Sequence, residues 1–137
     1  MVRSQHLESD DSLSLCPTIY QEYIPGTRHI RVCYFGENTY TAMIESPELD
    51  WRQSLNVPVS EHRLDEETKR KLRAVLDSLK LKMGIFDLKL TENGDAVWLE
   101  INPQGQFLFI EGLSGMPLTA IFAQFLYDEA RSKSETR

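Results

Sequence analysis

Asp87, Glu100 and Asn102 are placed on one face of a hairpin by the sequence around them. Asn93-Gly94 is a strong hairpin signal, because a type I′ turn needs positive φ at both central residues. With that pair as the centre, Leu90 faces Val97, Leu88 faces Leu99 and Phe86 faces Ile101, all apolar and all on one side. A slip of one residue would break that match. The other side then carries Asp87 directly opposite Glu100, with Asn102 two residues further along. Two carboxylates facing each other across strands repel unless something neutralises them. Two carboxylates and an amide oxygen suit a hard cation such as magnesium. The same residues also fit a solvated sheet face, on which Lys89 softens the repulsion and Glu92 lies nearby.

The elements that must position this hairpin follow from periodicity and punctuation. Residues 18–24 alternate β-branched or aromatic with polar residues and read as a strand, stopped by Pro25-Gly26. Residues 28–35 and 39–45 read as a first hairpin, with either Gly36-Glu37 or Glu37-Asn38 as its central pair. Residues 46–63, with Pro47 and Pro58, read as a surface loop. Asp65 is placed to cap a helix whose Leu72, Val75, Leu76 and Leu79 form one stripe, and Gly84 ends the connection that follows. An apolar stretch, 107–110, comes after Pro103-Gln104-Gly105. Pro117 starts a last helix with Leu118, Ile121, Phe122, Phe125 and Leu126 on its buried face. The expected fold is α+β: an antiparallel sheet of about five strands with two helices packed on one side. Residues 1–15 are expected to be disordered or frayed, residues 16–130 to form the domain, and residues 131–137 to be a polar tail.

Composition narrows the function classes. The chain has 137 residues, 41% of them hydrophobic and 26% charged, which suits one domain with one core. A formal net charge of −6 opposes a nucleic-acid or anionic-membrane partner, since both favour a basic face. No apolar run is long enough to cross a bilayer, and the first fourteen residues lack the apolar stretch of a secretory signal. Cys16 and Cys33 match no metal or redox spacing and read as buried thiols in a reducing compartment. These features together indicate a cytoplasmic protein.

Neighbouring motifs give the trio a context. Leu99-Glu100-Ile101-Asn102-Pro103, with Phe86-Asp87-Leu88 on the paired strand, resembles the metal-binding strands of the ATP-grasp superfamily. Gln21-Glu22-Tyr23-Ile24 resembles its adenine-holding hinge strand. The run Asn102-Pro103-Gln104-Gly105-Gln106-Phe107, then Ile110-Glu111 and Ser114-Gly115-Met116-Pro117, is similar to the graspetide synthetases, the ribosomal-peptide maturases of the microviridin type. The Asp50-Trp51-Arg52 triplet is similar to that branch too.

The resemblance implies an incomplete ATP-grasp fold, its carboxy-terminal lobe, with ATP and Mg2+ as cofactors. Asp87, Glu100 and Asn102 would hold magnesium, and Arg31 would contact the transferred phosphoryl group. Arg52 would be a second cation near it, while the backbone around Gln21, Glu22, Tyr23 and Ile24 would hold adenine. A guanidinium suits that role because it is permanently charged and donates in pairs to phosphate oxygens. The implied partner is a precursor peptide, whose Asp or Glu carboxylate is activated as an acyl phosphate and joined to an amine or hydroxyl. The implied enzyme is an ATP-dependent ligase, and this chain alone would be inactive without a missing lobe or partner chain. An excised lobe would expose apolar surface and favour a homodimer. Two other readings compete: a glutathione-synthetase-like or glutamate-adding ligase lobe, and a non-catalytic orphan lobe that binds or dimerises. His29 departs from the pattern, standing two residues before Arg31 where the family usually has an acidic residue.

Overall fold

The structure, a computed structural model, describes residues 20–53 and 56–135. Its frame is a five-stranded antiparallel sheet formed by β1 (Arg28–Phe35), β2 (Asn38–Glu45), β3 (Val59–Glu61), β4 (Met83–Leu90) and β5 (Ala96–Asn102). The spatial order is β3-β2-β1-β4-β5. The α+β class and the number of strands match the sequence expectation, and four of the five strands are the ones expected. Three helices complete it: α1 (Glu66–Leu79), α2 (Leu108–Ser114) and α3 (Leu118–Glu135).

The helices divide between the two faces of the sheet, where one face had been expected to carry them all. Even-numbered residues of β1 and β4, Ile30, Val32, Phe86 and Leu88, pack with Leu72 and Leu76 of α1. Odd-numbered residues Cys33, Phe35 and Ile85 pack with Phe107, Ile110 and Leu118 from the α2–α3 region. Both faces of the central strands are apolar for part of their length, so the sheet needs cover on both sides.

Local signals explain the elements. The Asp65 carboxylate accepts a 2.8 Å bond from the Thr68 amide and caps α1, as expected. Glu66 and Glu67 follow in the first turn, where negative charge suits the helix dipole. The helix ends at Lys80, whose φ is 55°, with the Leu81 and Lys80 amides donating to the Leu76 and Asp77 carbonyls. Gly84 therefore does not end this connection. It lies within β4, where a Cβ would come within 2.9 Å of Ile101 and 3.1 Å of Leu76, so its bareness lets α1 approach the sheet. Leu79 is exposed, so the buried stripe of α1 is narrower than the periodicity indicated. Leu126 of α3 is exposed as well, while Leu118 is fully buried.

The loop expected over residues 46–63 contains a 3₁₀ turn at Trp51–Gln53 and the short edge strand β3. The first hairpin turns on Gly36-Glu37, since Phe35 pairs with Asn38. Among residues 20–24 no strand forms, and residues 18 and 19 lie outside the described set. The sheet ends at β3 and β5, and the segment pairs with neither. Residues 131–135, polar as expected, continue α3. Residues 1–15, with the disorder expected there, also lie outside the described set, as does Cys16.

Candidate functional site

The sheet register sets the site. Arg31 on β1 pairs with Asp87 on β4, and Asp87 pairs with Glu100 on β5. These three side chains form one cross-strand row on the odd-numbered face. The next row toward the loops holds His29 opposite Lys89. The row on the helix side holds Cys33, Ile85 and Asn102.

The second hairpin reaches this register by an unexpected path. Its loop is three residues long: the Thr91 amide donates to the Asp95 carbonyl, and the Gly94 amide donates to Thr91. Only Gly94 takes positive φ, at 91°. That is a turn on Glu92-Asn93 followed by a left-handed glycine, not the two-residue turn on Asn93-Gly94. Near the loop Leu90 therefore faces Ala96 and Leu88 faces Trp98. An irregularity between Asp87 and Leu88 restores the expected pairing, so Asp87 faces Glu100 and Phe86 faces Ile101. Leu99, expected on the face that α1 covers, instead lines the cavity described next.

A cavity of about 530 Å³ opens over this face. Gln21, Glu22, Tyr23 and Ile24 line it, together with Arg31, Arg52, Asp87 and Glu100. Asn102 is not part of the lining. It is exposed, and its Oδ1 accepts a 3.0 Å bond from the Gln104 amide. The segment 20–24, though not a strand, thus lines the same cavity as the charged row.

Arg31 is only 6% exposed and highly organised. Its Nη1 lies 2.6 and 2.8 Å from the two Asp87 oxygens. Its Nε and Nη2 fork onto the Gln106 carbonyl at 3.2 and 2.6 Å. The guanidinium carbon is 6.0 Å from the Trp51 ring centre and 5.6 Å from that of Phe109, within cation–π range. Most of its five donors are committed in this arrangement. It is Arg31, not Lys89, that relieves the repulsion between the facing carboxylates.

Arg52 is largely exposed and donates from Nε to Asp50 at 2.7 Å, while its Nη1 lies 3.5 Å from Glu100. Hydrogen bonding from Arg52 holds the Asp50 carboxyl below its ordinary pKa and in turn raises that of Arg52. Each carboxylate of the charged row therefore faces an arginine, one buried and one exposed at the surface.

His29 and Lys89 are the residues whose importance the sequence did not reveal. Both are buried, and the His29 Nε2 atom has no hydrogen-bond partner. Burial lowers the pKa of His29, with the Lys89 charge adding to the effect. Burial likewise lowers that of Lys89. Strict alternation along β4 placed Lys89 on the Asp87 face, but burial of a lysine is not visible from alternation. Cys33, in the helix-side row, has its thiol pushed up to about 12 by burial, which makes it inert.

Two hard carboxylates in one row, neither buried beyond reach, form a donor set that fits a magnesium ion. Among the described residues, no three His, Cys, Asp or Glu side chains cluster as metal ligands, so any cation here also needs the Asn102 amide, water or phosphate oxygens. No described helix is long and apolar enough to cross a membrane.

Comparison with known proteins gives this geometry a class. No protein-family profile matches the sequence, and none of the curated proteins matches it. Solved structures do match. The macrocyclase MdnC from Microcystis aeruginosa MRC, bound with precursor peptide MdnA, superposes with a TM-score of 0.79 at 28% identity, over 93% of this chain and 41% of that one. The macrocyclase MdnB from the same source superposes at 0.63 with 27% identity, over 80% of this chain and 39% of that one. A RiPP-associated ATP-grasp ligase of Chryseobacterium gregarium, in complex with ADP and a leader and core peptide, superposes at 0.79 over 93% and 41%. At 23% identity that last likeness bears on the fold alone. The resemblance read in the sequence is borne out: the similar structures are macrocyclases, one bound with a precursor peptide, and a RiPP-associated ATP-grasp ligase. This chain spans about two fifths of their length.

Proposed function

We propose that this chain is the magnesium- and nucleotide-binding lobe of an ATP-grasp ligase that matures a ribosomal precursor peptide. The observation that carries this reading is the cavity, which gathers eight side chains picked from separate sequence motifs. Asp87 and Glu100, with Asn102 beside them, would hold the cation. Bound magnesium would neutralise phosphate oxygens and favour their approach to a second anion. Residues 21–24 would hold adenine through their backbone, which fits a segment that lines the cavity and has no sheet partner of its own. The precursor peptide bound to MdnC supports the choice of partner, and the Chryseobacterium ligase, alike in fold, was solved with ADP and a leader and core peptide.

The chemistry asked of the protein is to gather anions. A substrate carboxylate oxygen attacks the γ-phosphorus, ADP departs, and an acyl phosphate results. An amine or hydroxyl then attacks the acyl carbon, releasing phosphate and a proton and leaving an amide or ester crosslink. Positioning and charge neutralisation supply most of the rate in such a transfer. Arg31 has a specific part here. Its Nη1 is bonded to Asp87 in this structure; were Asp87 to hold a cation, that donor would be free to neutralise a phosphoryl oxygen. Arg52, exposed and paired with Asp50, would add a second positive charge from the surface. The rest of the ligase, in the same chain or a partner chain, would complete the site, and the lobe alone would bind without turning over.

One observation favours a second reading, that of a binding module without catalysis: Arg31 is locked by Asp87 and Gln106, as a purely structural arginine would be. Calorimetry with ADP, with and without magnesium, separates the two. The ligase-lobe reading expects magnesium-dependent binding that the paired substitutions Asp87→Asn and Glu100→Gln abolish. Binding unaffected by magnesium, or retained in the double variant, would move the balance to the binding module.

A further inference from the structure

We propose that Trp51 is a positioning residue for Arg31: with Phe109 it forms an aromatic clamp that keeps the guanidinium in place when Asp87 holds a cation instead. The cation comes from the ligase-lobe reading, on which this inference rests, and the clamp comes from the geometry. The guanidinium carbon of Arg31 lies 6.0 Å from the Trp51 ring centre and 5.6 Å from that of Phe109. The two rings pack on each other at 5.4 Å, tilted by 39°. A cation within about 6 Å of an aromatic face is attracted by its quadrupole, and more strongly out of water. Arg31 and Trp51 are both only 6% exposed.

Two sets of hydrogen bonds orient Arg31, and a cation on Asp87 would leave one of them. Nη1 donates to both Asp87 oxygens, at 2.6 and 2.8 Å. Nε and Nη2 converge on the single Gln106 carbonyl oxygen, at 3.2 and 2.6 Å. An Asp87 that ligates a cation gives up the first set. The remaining fork fixes the guanidinium at one point, about which it can pivot. Contact with two rings restricts that pivot, since tilting carries the cation away from them. The rings come from separate elements, Phe109 from α2 and Trp51 from the 3₁₀ turn Trp51–Gln53. The same turn carries Arg52, whose Nη1 lies 3.5 Å from Glu100. One buried ring thereby sets both arginines against both carboxylates of the row.

The test uses the full chain, with NMR of the Arg31 Nε–H and calorimetry with a non-hydrolysable ATP analogue. Asp87→Asn removes the charge that holds Nη1 and stands in for an Asp87 occupied by a cation. In that background Trp51→Leu should speed exchange of the Arg31 Nε–H at least about five-fold, while Trp51→Phe, which keeps an aromatic face, should change it much less. With Asp87 in place Trp51→Leu should have a smaller effect, because the carboxylate still supplies the second fixed point. Equal acceleration in both backgrounds, or by Trp51→Leu and Trp51→Phe alike, would mark ordinary packing and overturn the proposal. In the parent background, Trp51→Leu should weaken magnesium-dependent binding of the analogue at least about five-fold and leave magnesium-free binding unchanged. Magnesium-dependent affinity that Trp51→Leu leaves intact would also overturn it. No magnesium-dependent binding in the parent would sink the ligase-lobe reading, and the exchange rates, which need no nucleotide, would still decide the clamp. If Trp51→Leu does not fold, Phe109→Leu removes the other ring, leaves the turn's own residues unchanged and is read in the same way.

Discussion

One face of the central sheet behaves as two different surfaces. Toward one end, Phe35 sits at the centre of an aromatic cluster, with ring centres of Phe107, Phe122 and Phe125 at 5.1, 5.2 and 6.1 Å, and α2 and α3 seal it from water. Toward the other end the same strands carry Arg31, Asp87, His29 and Lys89 under an open cavity. Only one row of side chains, Cys33 and Ile85, separates them. The helix-covered end makes the strands rigid, and the polar end uses that rigidity to hold charged groups in fixed register. A site on strands is more precise than one on loops for this reason. The contrast also shows where stability and function conflict, since the polar end keeps buried charge that an apolar face would not.

Breaking the covered end should have the largest effect. Phe35→Ala is expected to cost about 3–5 kcal/mol, because it removes a fully buried ring from a packed cluster. The shift of the urea midpoint measures it. On the polar side, Arg31→Met should cost about 3 kcal/mol by leaving Asp87 facing Glu100 without its cation. Adding Asp87→Asn to that variant should recover most of the loss, and a double-mutant cycle reads the coupling. A third change tests the link between the two ends. Gly105→Ala would set a Cβ 2.8 Å from that of Ile85, next to the Gln106 carbonyl that receives Arg31. It is expected to cost about 1–3 kcal/mol and to loosen Arg31, visible as faster exchange of its side-chain Nε–H.

The smallest effect is one of pH. Burial lowers the pKa of His29, and also of His62. A histidine whose folded pKa lies below its unfolded value gives its full stability above the unfolded pKa, about 6.5. That stability is lost as pH falls, because the unfolded chain binds the proton more readily. Stability should therefore decline between pH 7 and pH 5, by at most about 1.4 kcal/mol per pH unit for each histidine. His29→Gln should flatten that decline, as measured by urea denaturation at each pH.

Much of this was legible in the sequence, and the failures have physical causes. The Asp65 cap could be read because it is a local interaction of a few residues. The pairing of Asp87 with Glu100 was read correctly, though through two deviations that cancel: a loop one residue longer and an irregularity that takes the residue back. Periodicity reports which face of a strand is apolar, not which helix covers it, so the division of helices between two faces was missed. The alternation in residues 20–24 arises over a cavity rather than in a ladder, and the two give the same pattern. His29 and Lys89 look like ordinary surface residues in sequence, since their burial depends on elements far along the chain.

The most direct measurement is amide NMR of the chain as magnesium is added in the presence of ADP. The account expects magnesium-dependent shifts at Arg31, Asp87, Glu100 and residues 21–24, with Phe35 and Phe107 unmoved, and their loss in the Asp87→Asn, Glu100→Gln variant. Shifts absent from that row, or identical in the variant, would contradict it.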